Sequence, residues 1–235
     1  HATTSRNEYL KLFSSFENYD FLSNQATQKS GFSYAHRINS RNFLNLSLNQ
    51  KNDSYLSPTS SYDPINNFVS NGPSVNYSYK DKRIGYEFTI SKGFQGWNPW
   101  TDQDKAYSQY FSTKLSVYSK NNKTSIKLGR LEENSSYLGM MFLNGQNSSK
   151  SSYSSIFTID SDFSITDKFS GFLSLTGMEA KPYENFSFIN FRAGSSFLTS
   201  SNFSILGKDI FNKNDLFRLD FSLPLSIEKG TADLE

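Results

Sequence analysis

The chain carries few groups that could do covalent chemistry. Its only histidines are His1 and His36, and cysteine is absent. A thiolate nucleophile, a thiolate metal site and a disulfide framework are therefore excluded. Serine is the commonest residue, about one in six. A serine nucleophile, however, needs a base to take its proton and an acid to orient that base. His36 is the only interior imidazole, no serine stands in a G-x-S-x-G elbow, and His36 falls in the apolar phase of an alternating segment. It reads as a core or barrel-wall residue. Two carboxylate clusters remain. Glu132-Glu133 has the composition of an acid–base pair, and Asp160 with Asp162 that of a partial calcium site. Two aspartates spaced by two on a strand share a polar face, which also suits a solvated or lumen-facing position. Trp97, Trp100, Tyr107 and Tyr110 could form an interfacial aromatic girdle, a carbohydrate-stacking platform or a plain hydrophobic turn. The net charge of +2 includes no basic block, so no nucleic-acid partner is expected. No metal or cofactor is expected either, and no catalytic residue is assigned.

The elements that must position these groups read as strands. Residues 217–230, FRLDFSLPLSIEKG, place Phe217, Leu219, Phe221, Leu223, Leu225 and Ile227 in one phase. Arg218, Asp220, Ser222, Pro224, Ser226 and Glu228 fill the other. Similar alternation recurs around Phe32–Ile38, Leu44–Leu48, Val75–Tyr79, Ile84–Ile90, Phe111–Val117, Phe157–Ile165 and residues 201–211. Such a period of two specifies strands with one apolar and one polar face. Thin helical signals cover residues 7–17 and 101–108. The fold expected is all-β: an antiparallel meander of roughly 10–12 strands forming a β-barrel, incomplete if the chain is a fragment. One domain is expected over residues 1–235, with residues 1–27 a linker or a partial strand or helix. No apolar run reaches the 18 residues of a membrane helix, which says nothing against a transmembrane barrel. Periodicity alone leaves two media open for the apolar phase, a soluble core or lipid. Several runs look shorter than the nine to eleven residues of a membrane strand, which favours the soluble reading. Turns short at one end and long at the other would favour the membrane. Pro224, which cannot donate to a central ladder, belongs at a bulge or an edge.

The ending has a family likeness. Asp215, Pro224, Leu225, Ile227, Gly230 and Ala232 fall where D-x-L-x-x-x-x-x-Q-P-L-R-V-x-x-G-x-A-x-L asks for them. Upstream, Leu128 to Gly139, which includes Leu138, resembles an L-G-x-x-x-E-x-x-x-x-L-G stretch, and Leu173 to Gly177 fits a strand end. These segments resemble the C-terminal, autotransporter-type region of bacterial subtilisin-like (S8 family) serine proteases. The likeness covers about residues 124–235; Leu223 replaces the usual glutamine, Ser226 the usual arginine, and Met178 a polar residue. It implies a catalytic domain upstream of His1 and further strands after Glu235. No triad residue falls in this segment, so the segment itself is expected to be non-catalytic. The resulting expectation is a translocator or anchoring β-domain of a secreted or surface protease, at the outer membrane or cell surface of a Gram-negative bacterium. Its partners would be outer-membrane lipid, the protease domain of the same chain and the barrel-assembly machinery. Phe217, Leu219, Phe221, Leu223, Leu225 and Ile227 would face lipid, with Arg218, Asp220, Ser222 and Ser226 in the lumen. The alternative is a soluble extracellular β-domain that binds glycan or a protein.

Overall fold

A computed structural model describes residues 2–5, 8–20, 25–48, 65–69, 72–94, 107–134, 136–138, 140–141, 151–182, 189–191, 194–210, 212–213, 215–229 and 232–234. The first strands are β1 (Ala2–Ser5), β2 (Glu8–Asp20), β3 (Gln25–Arg37) and β4 (Asn42–Leu48). A helical turn, α1 (Asn66–Val69), precedes β5 (Pro73–Lys80), β6 (Ile84–Phe94), β7 (Tyr107–Tyr118) and β8 (Asn122–Asn134). Two short strands follow, β9 (Ser136–Tyr137) and β10 (Met140–Met141), then β11 (Ser151–Ser164) and β12 (Phe169–Lys181). The chain continues through β13 (Ile189–Phe191), β14 (Ser196–Lys208), β15 (Leu216–Lys229) and β16 (Ala232–Leu234).

Twelve of these strands form one antiparallel sheet in the order β1-β2-β3-β4-β5-β6-β7-β8-β11-β12-β14-β15. This is the all-β meander that the alternation specifies. Among the described residues no pairing joins β1 to β15, so the sheet is not closed into a barrel and β15 is an edge. Two further ladders are local: β9 with β10, and β13 with β16. The helix expected over residues 7–17 is absent, because β2 pairs along its length with β3. Ladder pairing outweighs a thin local helical preference. Residues 1–27, read as a linker or partial element, supply β1, β2 and the start of β3. Of the expected helix 101–108, the final residues begin β7 and the rest lies outside the described residues.

The hairpins close through side chains suited to turns. Asn39 Oδ1 accepts the amides of Arg41 at 2.9 Å and Asn42 at 3.0 Å. Thr166 Oγ1 accepts those of Lys168 and Phe169. The Asp215 carboxylate accepts Ile210 N–H at 2.7 Å and Asn212 N–H at 2.9 Å. These are the backbone-mimicking bonds that place Asn, Thr and Asp in turns. All three turns lie at one end of the sheet. The connections at that end are residues 6–7, 38–41, 81–83, 119–121, 165–168 and 209–215. At the opposite end they are 21–24, 49–72, 95–106, 135–150 and 182–195, so four of these five are long. The helix α1 and the strands β9, β10 and β13 all belong to this long-loop end.

Candidate functional site

Register resolves each strand into an outer and an inner face, because directly opposed residues share a side. One outer row reads Tyr86, Leu115, Ile126, Ile159 and Leu175 across β6, β7, β8, β11 and β12. Another reads Ile84, Val117, Thr124, Ser161, Leu173, Phe203 and Phe221 across β6 to β15. Val117 is 54% exposed, Leu128, the next outer residue of β8 after Ile126, is 53%, and the other large apolar residues of the two rows are exposed or half-buried. Small gaps in this face are filled by rings; the Phe163 ring lies over Gly171, where a Cβ would collide with it.

The inner face is the reverse. One row runs Ser116, Ser125, Asp160, Ser174, Asn202 and Ser222. The next runs Lys114, Lys127, Thr158, Thr176 and Ser200. Ser125, Asp160, Ser174, Thr158 and Thr176 are all buried. Buried polar groups require partners, and these form a network across the strands. Lys114 Nζ donates to Asp160 Oδ2 at 2.7 Å, and Ser174 Oγ donates to Asp160 Oδ1 at 2.8 Å. Thr158 and Thr176 share a hydrogen bond of 3.1 Å, Ser116 and Ser125 one of 2.9 Å. Asp162 pairs with Lys123 at 3.4 Å, and Asp220 accepts from Ser204 and Arg218. Asp160, Asp162 and Asp220 are thus each paired with a base, and the network holds these charges in place. Asp160 and Asp162 do share a face, as their spacing requires, but separate lysines hold them.

At the long-loop end the inner face turns apolar. Tyr110, Leu131, Ile156, Met178 and Leu198 are buried there in one cluster with Ile65, Val69 and Tyr137 from the connections. Here Glu132 and Glu133 part company. Glu133 is buried on the inner face, and its Oε2 accepts Leu138 N–H at 2.9 Å; Glu132 takes the outer face opposite Gln109 and Tyr153. The pair cannot converge on one substrate. Burial, with the Glu133 carboxylate nearby, pushes the Tyr137 phenol above its ordinary range.

The aromatic group divides in the same way. Tyr107 is on the outer face with Lys92 Nζ 4.6 Å from its ring centre, whereas Tyr110 is buried inside over Gly129. Tyr153 is also outside, under the Arg130 guanidinium at 4.8 Å. Cation and aromatic pairs thus edge the apolar band at the long-loop end. Trp97 and Trp100 lie outside the described residues. His36 is on the outer face opposite Leu44 and stacked with Tyr34 at 6.3 Å.

The β15 segment needs a correction. Phe217, Leu219, Phe221 and Leu223 oppose Gly207, Ile205, Phe203 and Ser201 on the outer face. Thr199 then opposes Ser226, so β15 carries one extra residue between Leu223 and Ser226. That bulge, at Pro224, reverses the phase. Leu225, placed with the lipid-facing residues by sequence, turns inward and packs against the buried cluster. Ile227 opposes the buried Leu198 and is likewise on the inner face. Ser226, expected in the lumen, moves outward. Ser200 Oγ donates to the Leu223 carbonyl at 3.0 Å, filling the ladder beside the proline. Of the motif positions, Asp215 ties a turn, Gly177 is on the outer face against Phe197, and Leu138 packs on the buried cluster in a left-handed conformation with φ 52°. Ala232 pairs with Phe191 through its backbone, and Gly139 and Gly230 lie outside the described residues. No family model, no curated protein and no solved structure matches the chain.

Proposed function

We propose that the chain is a non-catalytic, membrane-spanning β-domain of an outer membrane, whose role is to anchor or translocate. The observation that carries this reading is the inversion of the two faces. Large apolar side chains are exposed, while serine, threonine and paired charges are buried. A water-soluble β-protein hides the first set and exposes the second; a barrel wall in lipid does the opposite. Each Leu, Ile or Phe moved from water into an apolar medium contributes about 1.5–3 kcal/mol, so a face of this size left in water is a strong drive to aggregate. A contiguous apolar surface of this extent marks a binding partner or a membrane.

Two further features agree. The strands β8, β12 and β14 are 13 residues long, and β11 and β15 are 14. Most of the short runs visible in sequence are thus parts of longer strands, while β4 and β5 keep seven and eight residues. The connections alternate short and long, the pattern of turns on one side of an outer membrane and loops on the other.

The resemblance to the C-terminal region of subtilisin-like autotransporter proteases supplies the cargo in this proposal: a protease domain upstream on the same chain, delivered to or held at the surface of a Gram-negative cell. Barrel-assembly machinery would insert the domain. Purified chain refolded into detergent or lipid should run with a heat-dependent gel shift and precipitate when detergent is withdrawn. A chain that stays monomeric and folded without detergent, with no heat shift, would be a soluble extracellular domain and would sink the membrane reading. The protease attribution stands separately: a complete reading frame without an upstream Asp/His/Ser domain removes it and leaves the membrane domain intact.

A further inference from the structure

The buried apolar cluster of the inner face coincides with the place where two connections fold back onto it. From the first, Ile65, Phe68 and Val69 present one side of α1, with Ile65 fully buried. From the second come Tyr137 and Leu138. Beneath them a single register row, Gly93, Ser108, Glu133 and Ser152, crosses β6, β7, β8 and β11. Three of its residues bond the backbone of those connections. Ser108 Oγ donates to the Phe68 carbonyl. Glu133 accepts the Leu138 amide, and Ser152 Oγ donates to the Ser136 carbonyl at 2.7 Å. Gly93 leaves the space in which α1 sits; a Cβ there would run into Phe68 O and the Val69 Cα, backbone atoms that cannot swing aside.

Buried hydroxyls and a buried carboxylate spent on loop backbone make a seat, since leaving any of them unpaired costs about 1–3 kcal/mol. Among the described residues no helix is seated on the rows nearer the short-turn end, where Ser, Thr and paired charges stand with Tyr118, Phe172 and Leu206. We propose that α1 and the 136–138 corner form a plug, seated on the Ser108–Glu133–Ser152 row, that closes the lumen to ions and small solutes at the long-loop end. This rests on the membrane reading above, because a lumen exists only if the sheet closes around one. In a wall built to anchor or translocate, such a plug keeps the membrane sealed when nothing is in transit.

The test is conductance of the full chain in planar lipid bilayers, with insertion scored separately by the heat-dependent gel shift. Wild-type protein should insert and conduct little. Gly93→Leu, which displaces α1, and a chain with residues 65–69 replaced by a Gly/Ser linker should insert equally and conduct several-fold more. Glu133→Ala should also raise conductance, and Glu133→Gln, whose carbonyl still accepts the Leu138 amide, should restore the closed level. If all variants insert with a normal heat shift and conduct like wild type, the plug is wrong while the membrane reading stands. If wild type already conducts as freely as the linker variant, the plug is equally wrong. If wild type neither shifts nor inserts, the membrane reading fails and takes the plug with it.

Discussion

The ion pair between Lys114 and Asp160 shows how a polar interior can be stable in a chain with an apolar outside. The lysine and aspartate side chains are 16% and 6% exposed, and Ser174 supplies a second donor. Removing one partner of such a pair leaves an uncompensated charge, while replacing both by apolar groups is often neutral. Asp160→Ala should therefore destabilise by about 2–3 kcal/mol, read as a lower guanidinium midpoint in micelles. The double variant Lys114→Met/Asp160→Leu should lose less than the single one; a loss equal to the sum of the two singles would mean the pair is unimportant. The outer face makes the opposite prediction. Leu128→Arg near the centre of the apolar band should cost ~2–4 kcal/mol if the face meets lipid, and almost nothing if it meets water. At this scale, strand parity was legible for His36, which keeps its apolar phase, and for Asp160 with Asp162. The same parity separates Glu132 from Glu133, and Tyr107 from Tyr110, residues that proximity in sequence had grouped. The role of Glu133 as a clamp was not legible, because its partner, the Leu138 amide, reaches it only through a left-handed turn at Leu138.

The element most readable in sequence, β15, is also where the alternation misleads. Leu223, Leu225 and Ile227 keep a perfect period of two, yet the extra residue at Pro224 changes which side of the sheet that period addresses. Nothing in β15 alone reveals this; the shift exists only relative to β14. Proline was the one local sign, since it removes a ladder donor and tolerates a bulge. The consequence is measurable. A polarity-sensitive fluorophore on Leu223→Cys should be quenched by brominated lipid, and the same probe on Ile227→Cys should not. The natural chain has no cysteine, so the labelling is clean. Deleting Pro224 should restore one register and make position 227 quenchable; equal quenching at both sites in the intact chain would contradict the bulge. The helix α1 was hidden for a different reason. Its apolar contacts, Ile65, Phe68 and Val69, span five residues, too few to register as a helical period within a long polar connection.

For the whole molecule, topology follows from two properties that sequence does carry, the number of alternating segments and the length of the polar stretches between them. A meander with adjacent strands in sequence order is the arrangement that short turns permit, and the turn residues Asn39, Thr166 and Asp215 mark three of those returns. Closure is a different matter: whether β15 meets β1 or another strand depends on edges, which alternation does not describe. The alternation of turn lengths gives the molecule a direction. In an outer membrane the short turns belong to the periplasm and the long connections to the exterior, so the proposed membrane domain would hold its two ends in different compartments. Lys120→Cys, in the turn between β7 and β8, should be inaccessible to a membrane-impermeant maleimide in intact cells and react once the outer membrane is permeabilised. Asn147→Cys, in the connection between β8 and β11, should react in intact cells. Both cysteines reacting alike before permeabilisation would mean that this sheet does not separate two compartments, and with that the inverted faces would have to be covered by protein instead of lipid.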